Sequence, residues 1–192
     1  MSHSLADYDF DLPPDRIAHA PARPRDSARL LRVTQTGFGD HVVRDLPRLL
    51  QPGDILVSND TRVIPAQLTA RRGEARIGVT LDQPRPDGTW HALARNARRI
   101  RAGDVLRFEG SDTLAATVIA RDPDGGVALA FNLQGPAFSA ALLEVGALAL
   151  PPYIDRPSGP LPTDADDYQT VFARDEGAVA APTAPSSRAN TV

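Results

Sequence analysis

Apolar positions along this 192-residue chain fall into short runs of two textures, brief and continuous before residue 66, then alternating with polar positions to about residue 133. In the first stretch, residues 30–33 and 41–43 are strand candidates separated by a Gly37/Gly39 turn. Asp45-Leu46-Pro47 then starts a short helix with Asp45 available as its cap, and Pro52-Gly53-Asp54 ends it. The run Ile55-Leu56-Val57 fits a strand buried on both faces, as in parallel sheets covered by helices.

The second stretch has strand candidates at 77–81, 90–94, 105–108, 114–120 and 127–133, divided by Pro86-Asp87-Gly88, Ala102-Gly103-Asp104 and Pro123-Asp124-Gly125-Gly126. That spacing predicts a small antiparallel barrel or sandwich. Residues 136–145 predict a helix, with Pro136 in its first turn and Gly146 just past its end. The remainder is rich in proline and acidic residues, with a loop at 157–167, a strand at 168–173 and a second apolar segment at 177–183. No repeat at a solenoid period is present.

Composition narrows the function classes. Hydrophobic residues at 42% and charged residues at 23% suffice for a globular core. No stretch approaches the roughly 20 apolar residues of a membrane helix, and the acidic residues 1–11 do not resemble a secretory signal, so a cytoplasmic protein is expected. With no cysteine, the chain has no disulfide, thiolate metal site or cysteine nucleophile. A net charge of −3 exerts no global pull on nucleic acid, and the 21 basic residues, all arginine, read as the mark of a GC-rich gene. Gly37-x-Gly39 does not extend to a dinucleotide-binding loop, and His3, His19, His41 and His91 lack metal-ligand spacing.

Four polar clusters remain as candidate chemistry. Arg25-Asp26-Ser27-Ala28-Arg29 is either a buried ion-pair network or an anion clamp. Asn59-Asp60-Thr61-Arg62 follows the run at 55–57, where parallel α/β sheets bind ligands, or is a capped turn. Tyr168-Gln169-Thr170 with the small-residue segment through Thr183 is either a ligand-lining strand end or alanine-rich core. Arg95, Arg98, Arg99 and Arg101, beside Trp90 and His91, can neutralise RNA phosphates with an aromatic for stacking, or form a solvated loop.

In order, the segments Asp7-Tyr8-Asp9-Phe10-Asp11-Leu12-Pro13, Arg25 to Leu31, Asn59 to Ala66, Leu150-Pro151-Pro152-Tyr153-Ile154, Tyr168 to Ala173 and Gly177 to Ala184 resemble signatures of the S-adenosylmethionine:tRNA ribosyltransferase-isomerases of queuosine synthesis. The resemblance covers residues 7–184. It implies an α/β fold, a partial distorted TIM-like barrel with an inserted small antiparallel β-barrel. The expected boundaries are 1–65 for the first part of the large domain, 66–150 for the insert, 151–184 for the return and 185–192 for a non-family tail.

The activity implied is transfer and isomerisation of the ribosyl group of S-adenosylmethionine onto 7-aminomethyl-7-deazaguanine in the tRNA anticodon, releasing methionine and adenine and giving epoxyqueuosine. S-adenosylmethionine is then a co-substrate, no cofactor or metal is implied, and the expected partner is tRNA, met by a monomer away from membranes. Asp60 is the candidate base and Asp26 the alternate; Arg25, Arg29 and Arg62 would hold the methionine carboxylate or tRNA phosphates. Asn59, Thr61, Tyr168, Gln169, Thr170 and Thr183 would position ribose and deazaguanine, and Arg95, Arg98, Arg99 and Arg101 would meet RNA.

The chain departs from that pattern at Gly78, where the resemblance implies glutamate, at Asn96 and Arg98, and after Ala184, where Pro185-Ser186-Ser187-Arg188 replaces Gly-Leu-His-Phe. Such a tail suggests an out-of-frame end. A half barrel would leave sheet edges unpaired, so the chain alone is expected to be inactive. The rival readings are a non-catalytic RNA-binding β-barrel module and a gene fragment.

Overall fold

The structure is a computed structural model, described over residues 4–182 except 124, 155 and 158. It divides into two compact units, Met1–Leu56 with Pro151–Pro157, and Val57–Leu150 with Ser158–Val192.

The first unit is built on a hairpin of β1 (Arg29–Thr34) and β2 (Gly37–Val42), with Leu30 opposite His41 and Val33 opposite Phe38. Gly37 and Gly39 lie within β2 rather than in the turn, which Thr34 and Thr36 close through side-chain bonds. The short helix α1 (Leu46–Leu49) follows, but Asp45 does not cap it; its Oδ2 accepts from the Val42 amide, 3.2 Å away, and so closes the preceding turn. Among its described residues none is fully buried, and Leu31, Val33 and Phe38 are exposed.

The run at 55–57, expected as a doubly buried strand, forms no strand, and Ile55 is 88% exposed. A central strand needs neighbours on both edges and cover on both faces. Among the described residues nothing pairs with this run, so its hydrophobicity alone does not order it.

The second unit contains a closed barrel of six antiparallel strands. They are β4 (Gln67–Arg72), β5 (Ala75–Pro84), β6 (Trp90–Arg95), β7 (Val105–Phe108), β8 (Ala115–Arg121) and β9 (Val127–Phe131), taken in numerical order after β3 (Thr61–Val63). Around the barrel the order is β4-β5-β6-β9-β8-β7. Strand alternation supplies the core: Leu68, Ile77, Val79, Leu81, Leu106, Phe108, Val118 and Leu129 are buried, each worth about 1.5–3 kcal/mol for a large apolar side chain. The five strands predicted between residues 77 and 133 are all present; within the barrel β4, with only Leu68 and Ala70 facing inward, is the addition.

Helix α2 (Gly135–Val145) sends Phe138, Ala141 and Leu142 into the same core, where the Phe138 ring lies 4.7 Å from that of Phe131 and 5.7 Å from that of Trp90. Gly146 ends the helix with an ordinary negative φ, −86°. The residue is needed for space instead, because a Cβ there would collide with the carbonyl oxygens of Pro65 and Leu142.

The predicted strand at 168–173 is absent. A one-turn helix α3 (Asp164–Asp167) precedes it, and the chain then turns. Short polar side chains explain this: Asp164 accepts from Leu161 N at 2.8 Å and Thr170 Oγ1 from Phe172 N at 3.3 Å, local bonds that compete with a ladder. The strand that does form is β10 (Asp175–Ala178), which pairs with β3 in parallel. Among the described residues this is the only parallel pairing, and no helix is long and apolar enough to cross a membrane. The architecture shown is therefore mixed α/β with a closed six-stranded antiparallel barrel.

Candidate functional site

Two of the polar clusters, more than a hundred residues apart, meet at the β3–β10 pair. Thr61 stands opposite Asp175, Arg62 opposite Glu176 and Val63 opposite Ala178. The pairing extends beyond both ends, with the Arg174 amide donating to Asp60 O at 2.7 Å and the Ile64 amide to Ala178 O at 2.8 Å. On its other edge, Val63 is held by a side chain. Gln169 Oε1 accepts from Val63 N at 2.8 Å and Gln169 Nε2 donates to Val63 O at 3.0 Å, so one amide stands in for a neighbouring strand.

Asn59 shapes the approach to β3. Its Oδ1 accepts from both the amide (3.0 Å) and the hydroxyl (2.7 Å) of Thr61, an Asx turn that presents the half-buried Asp60. Arg62 is exposed at the rim of a cavity of about 330 Å³, whose polar lining also includes Asp164, Gln169 and Glu176. Val63, Leu148 and Leu161 supply apolar wall. Asp164 is 5% exposed, and Glu176 accepts from Ser139 Oγ at 2.8 Å. A guanidinium and two carboxylates around one apolar hollow suit a zwitterionic or cation-bearing organic ligand.

The other sequence candidates are placed differently. Tyr168 points its hydroxyl to Ala149 O at 3.4 Å, and Thr170 is used in its local turn. Thr183 lies outside the described residues. Arg25, Asp26 and Arg29 belong to the first unit. The ion pairs of Asp26 with Arg44 (3.7 Å) and of Arg29 with Asp40 (3.4 Å) are more than half exposed, where screening leaves such pairs with little energy.

Arg95 ends β6, Arg98 and Arg99 lie in the single 3-10 turn Ala97–Arg99 that follows, and Arg101 comes after it; all four are exposed. The expected aromatic partner is not available to stack on a base. Trp90 opens β6 at the opposite end from Arg95 and is half-buried against Phe138, while His91 is buried with Nδ1 2.8 Å from Asp82 Oδ2. Asp164 and Glu176 were missed by sequence reasoning, since nothing in Asp164-Ala165-Asp166-Asp167 marks the first carboxylate as buried and the others as solvated.

The chain matches the model of a family described as queuosine biosynthesis protein over residues 5–187. It is 65% identical over 185 residues to the S-adenosylmethionine:tRNA ribosyltransferase-isomerase of Gluconacetobacter diazotrophicus, covering 96% of this chain and 52% of that protein. The protein of the same name from Acidiphilium cryptum is 59% identical over 181 residues, covering 94% of this chain and 52% of its own length. A crystal structure of S-adenosylmethionine tRNA ribosyltransferase from Thermotoga maritima is 31% identical, covers 79% of this chain and 51% of that one, and superposes with a TM-score of 0.37. The chain thus spans about half the length of the curated relatives it matches. With the family pattern running through β3, the barrel, α2 and β10, this chain belongs to the queuosine biosynthesis protein family.

Proposed function

We propose that this chain carries one half of an S-adenosylmethionine:tRNA ribosyltransferase-isomerase. In that reading the ribosyl group of S-adenosylmethionine is transferred and isomerised onto 7-aminomethyl-7-deazaguanine in tRNA, with release of methionine and adenine. The observation that carries the reading is that Arg62, from the segment Asn59-Asp60-Thr61-Arg62, and Gln169, more than a hundred residues on, line one cavity, in a chain 65% identical to a relative of that name. Arg62 would meet the methionine carboxylate, and Glu176 and Asp164 the ammonium or sulfonium. S-adenosylmethionine is consumed, so the scheme uses no resident cofactor, and a cytoplasmic setting goes with a tRNA substrate.

Asp60 remains the candidate base, with Asp26 the alternate. Asn59 and Gln169 act by positioning, because their side chains bond to Thr61 and to the Val63 backbone. Parallel pairing of β3 with β10, from either side of the six-stranded barrel in sequence, supports a larger distorted TIM-like domain into which residues 66–150 are inserted.

The test is adenine release by a hybrid in which this chain replaces the matched half of the Gluconacetobacter relative. The hybrid is expected to turn over, and Asp60→Asn to slow it by about 10²–10⁴-fold, the usual weight of a general base. Turnover unchanged in Asp60→Asn but lost in Asp26→Asn would move the role to Asp26.

A further inference from the structure

The outer surface of the barrel carries a row of charge that its stability does not call for. Arg71 on β4 stands directly opposite Arg76 on β5 and directly opposite Arg107 on β7. Arg95 on β6 stands opposite Gly78, the next outward position of β5 after Arg76, and its Cβ lies 3.3 Å from where a Cβ on Gly78 would be. Four adjacent strands thus present four exposed guanidinium groups on one face. Like charges directly opposite one another destabilise a sheet, so a row of this kind breaks a local rule with no packing gain.

Among the described residues a single carboxylate is ion-paired to the row. Glu109 Oε1 is 2.7 Å from Arg71 Nε, and Glu109 Oε2 is 3.1 Å from Arg76 Nη2. One glutamate holds two guanidinium groups side by side and neutralises half their charge. Beside the row an open cavity of about 550 Å³ lies over Gly78, lined by the neutral hydrogen-bonding groups of Gln67, Thr69 and Thr80 and by exposed Leu93. Arg98 and Arg99 extend the positive surface past Arg95.

We infer that this face, Arg107-Arg71-Arg76-Arg95 with the groove over Gly78, is a docking surface for an RNA phosphodiester backbone. Arginine forks match phosphate oxygens, and strands about 4.8 Å apart set successive guanidinium groups along a track of closely spaced charges. The groove offers donors and acceptors for a sugar or base edge. Glu109 keeps the arginines extended and in register until phosphate competes for them. The inference names a surface for the tRNA of the proposed function and rests on that reading for the identity of the RNA.

The experiment is binding of an unmodified tRNA transcript to the 192-residue chain across a salt series, without S-adenosylmethionine. Arg76→Gln with Arg107→Gln should weaken binding and reduce the slope of log K against log salt by about 1.5, while Arg48→Gln, in the other unit, should not. Glu109→Gln should do the opposite, raising affinity and steepening the slope, an effect loss of folding cannot mimic; thermal melting would show all three variants folded. Equal affinities and slopes in all variants would overturn the inference. So would displacement of the RNA by poly-L-glutamate at matched charge, which would identify an acidic protein as the occupant. Salt-sensitive RNA binding through this face with no turnover in the hybrid would leave the surface standing and fell the proposed function; turnover with no contribution from the face would do the reverse.

Discussion

Gln169 is the residue on which the meeting of the two motif segments depends. Val63 is 3% exposed and both its backbone groups are taken up by one side-chain amide, so Gln169→Leu would leave a buried amide N–H and C=O unpaired. A loss of about 1–3 kcal/mol is expected, measured by urea unfolding, with Gln169→Glu restoring at most the acceptor half. Gly126 sets a limit of a different kind, since a Cβ there would collide with Nε2 of buried His91; Gly126→Ala should cost about 1–3 kcal/mol through overpacking. Asp104 supplies a pH dependence. Its carboxyl is held below the usual range, first by the bond it accepts from the Arg101 amide (2.7 Å) and then by Arg72, 2.7 Å away. A carboxyl lowered in the folded state stabilises above its unfolded value and loses that contribution as pH falls through its folded value. The stability gap between wild type and Asp104→Asn should therefore be present at pH 7 and close as the pH drops below about 4, the ordinary carboxylate range.

The strands of the barrel announce themselves in sequence because each alternation is bounded by a tight turn. Ile77, Val79 and Leu81 point one way, Gly78 and Thr80 the other, and Asp87-Gly88 and Gly103-Asp104 mark where the chain reverses. β4 escaped because its inward side chains are only a leucine and an alanine. The β3–β10 pair was illegible for another reason: β3 has three residues, and its partner is parallel and more than a hundred residues away, so neither local period nor turn chemistry reports it. Residues 55–57 show the converse, an apolar run that hydrophobicity identifies but that pairs with no strand among the described residues. Ile55→Ser with Leu56→Ser should accordingly change stability by less than about 0.5 kcal/mol in urea unfolding, whereas Leu68→Ala, in β4, should cost about 2–5 kcal/mol. A large loss at 55–56 would mean that the run is packed after all.

At the scale of the molecule, the buried core lies in the six-stranded barrel, α2 and the residues just before β4, while the unit holding Arg25, Asp26 and Arg29 has no fully buried described residue. The candidate cavity draws on β3, α2, α3 and β10, and the arginine face on β4 to β7. Of the cavity's polar lining, Arg62 and Gln169 lie in segments that the sequence singles out by residue type, Asn59-Asp60-Thr61-Arg62 and Tyr168-Gln169-Thr170. The geometry was not legible, which is why Asp164 and Glu176 emerged only from the fold and Trp90 is found half-buried against Phe138. The role proposed for these residues is half of a site for ribosyl transfer from S-adenosylmethionine to tRNA. It is tested most directly by adenine release from the hybrid with the Gluconacetobacter half, given tRNA that bears 7-aminomethyl-7-deazaguanine. Release is expected to require both the tRNA and Asp60; a folded hybrid that binds S-adenosylmethionine and releases no adenine would rule the role out.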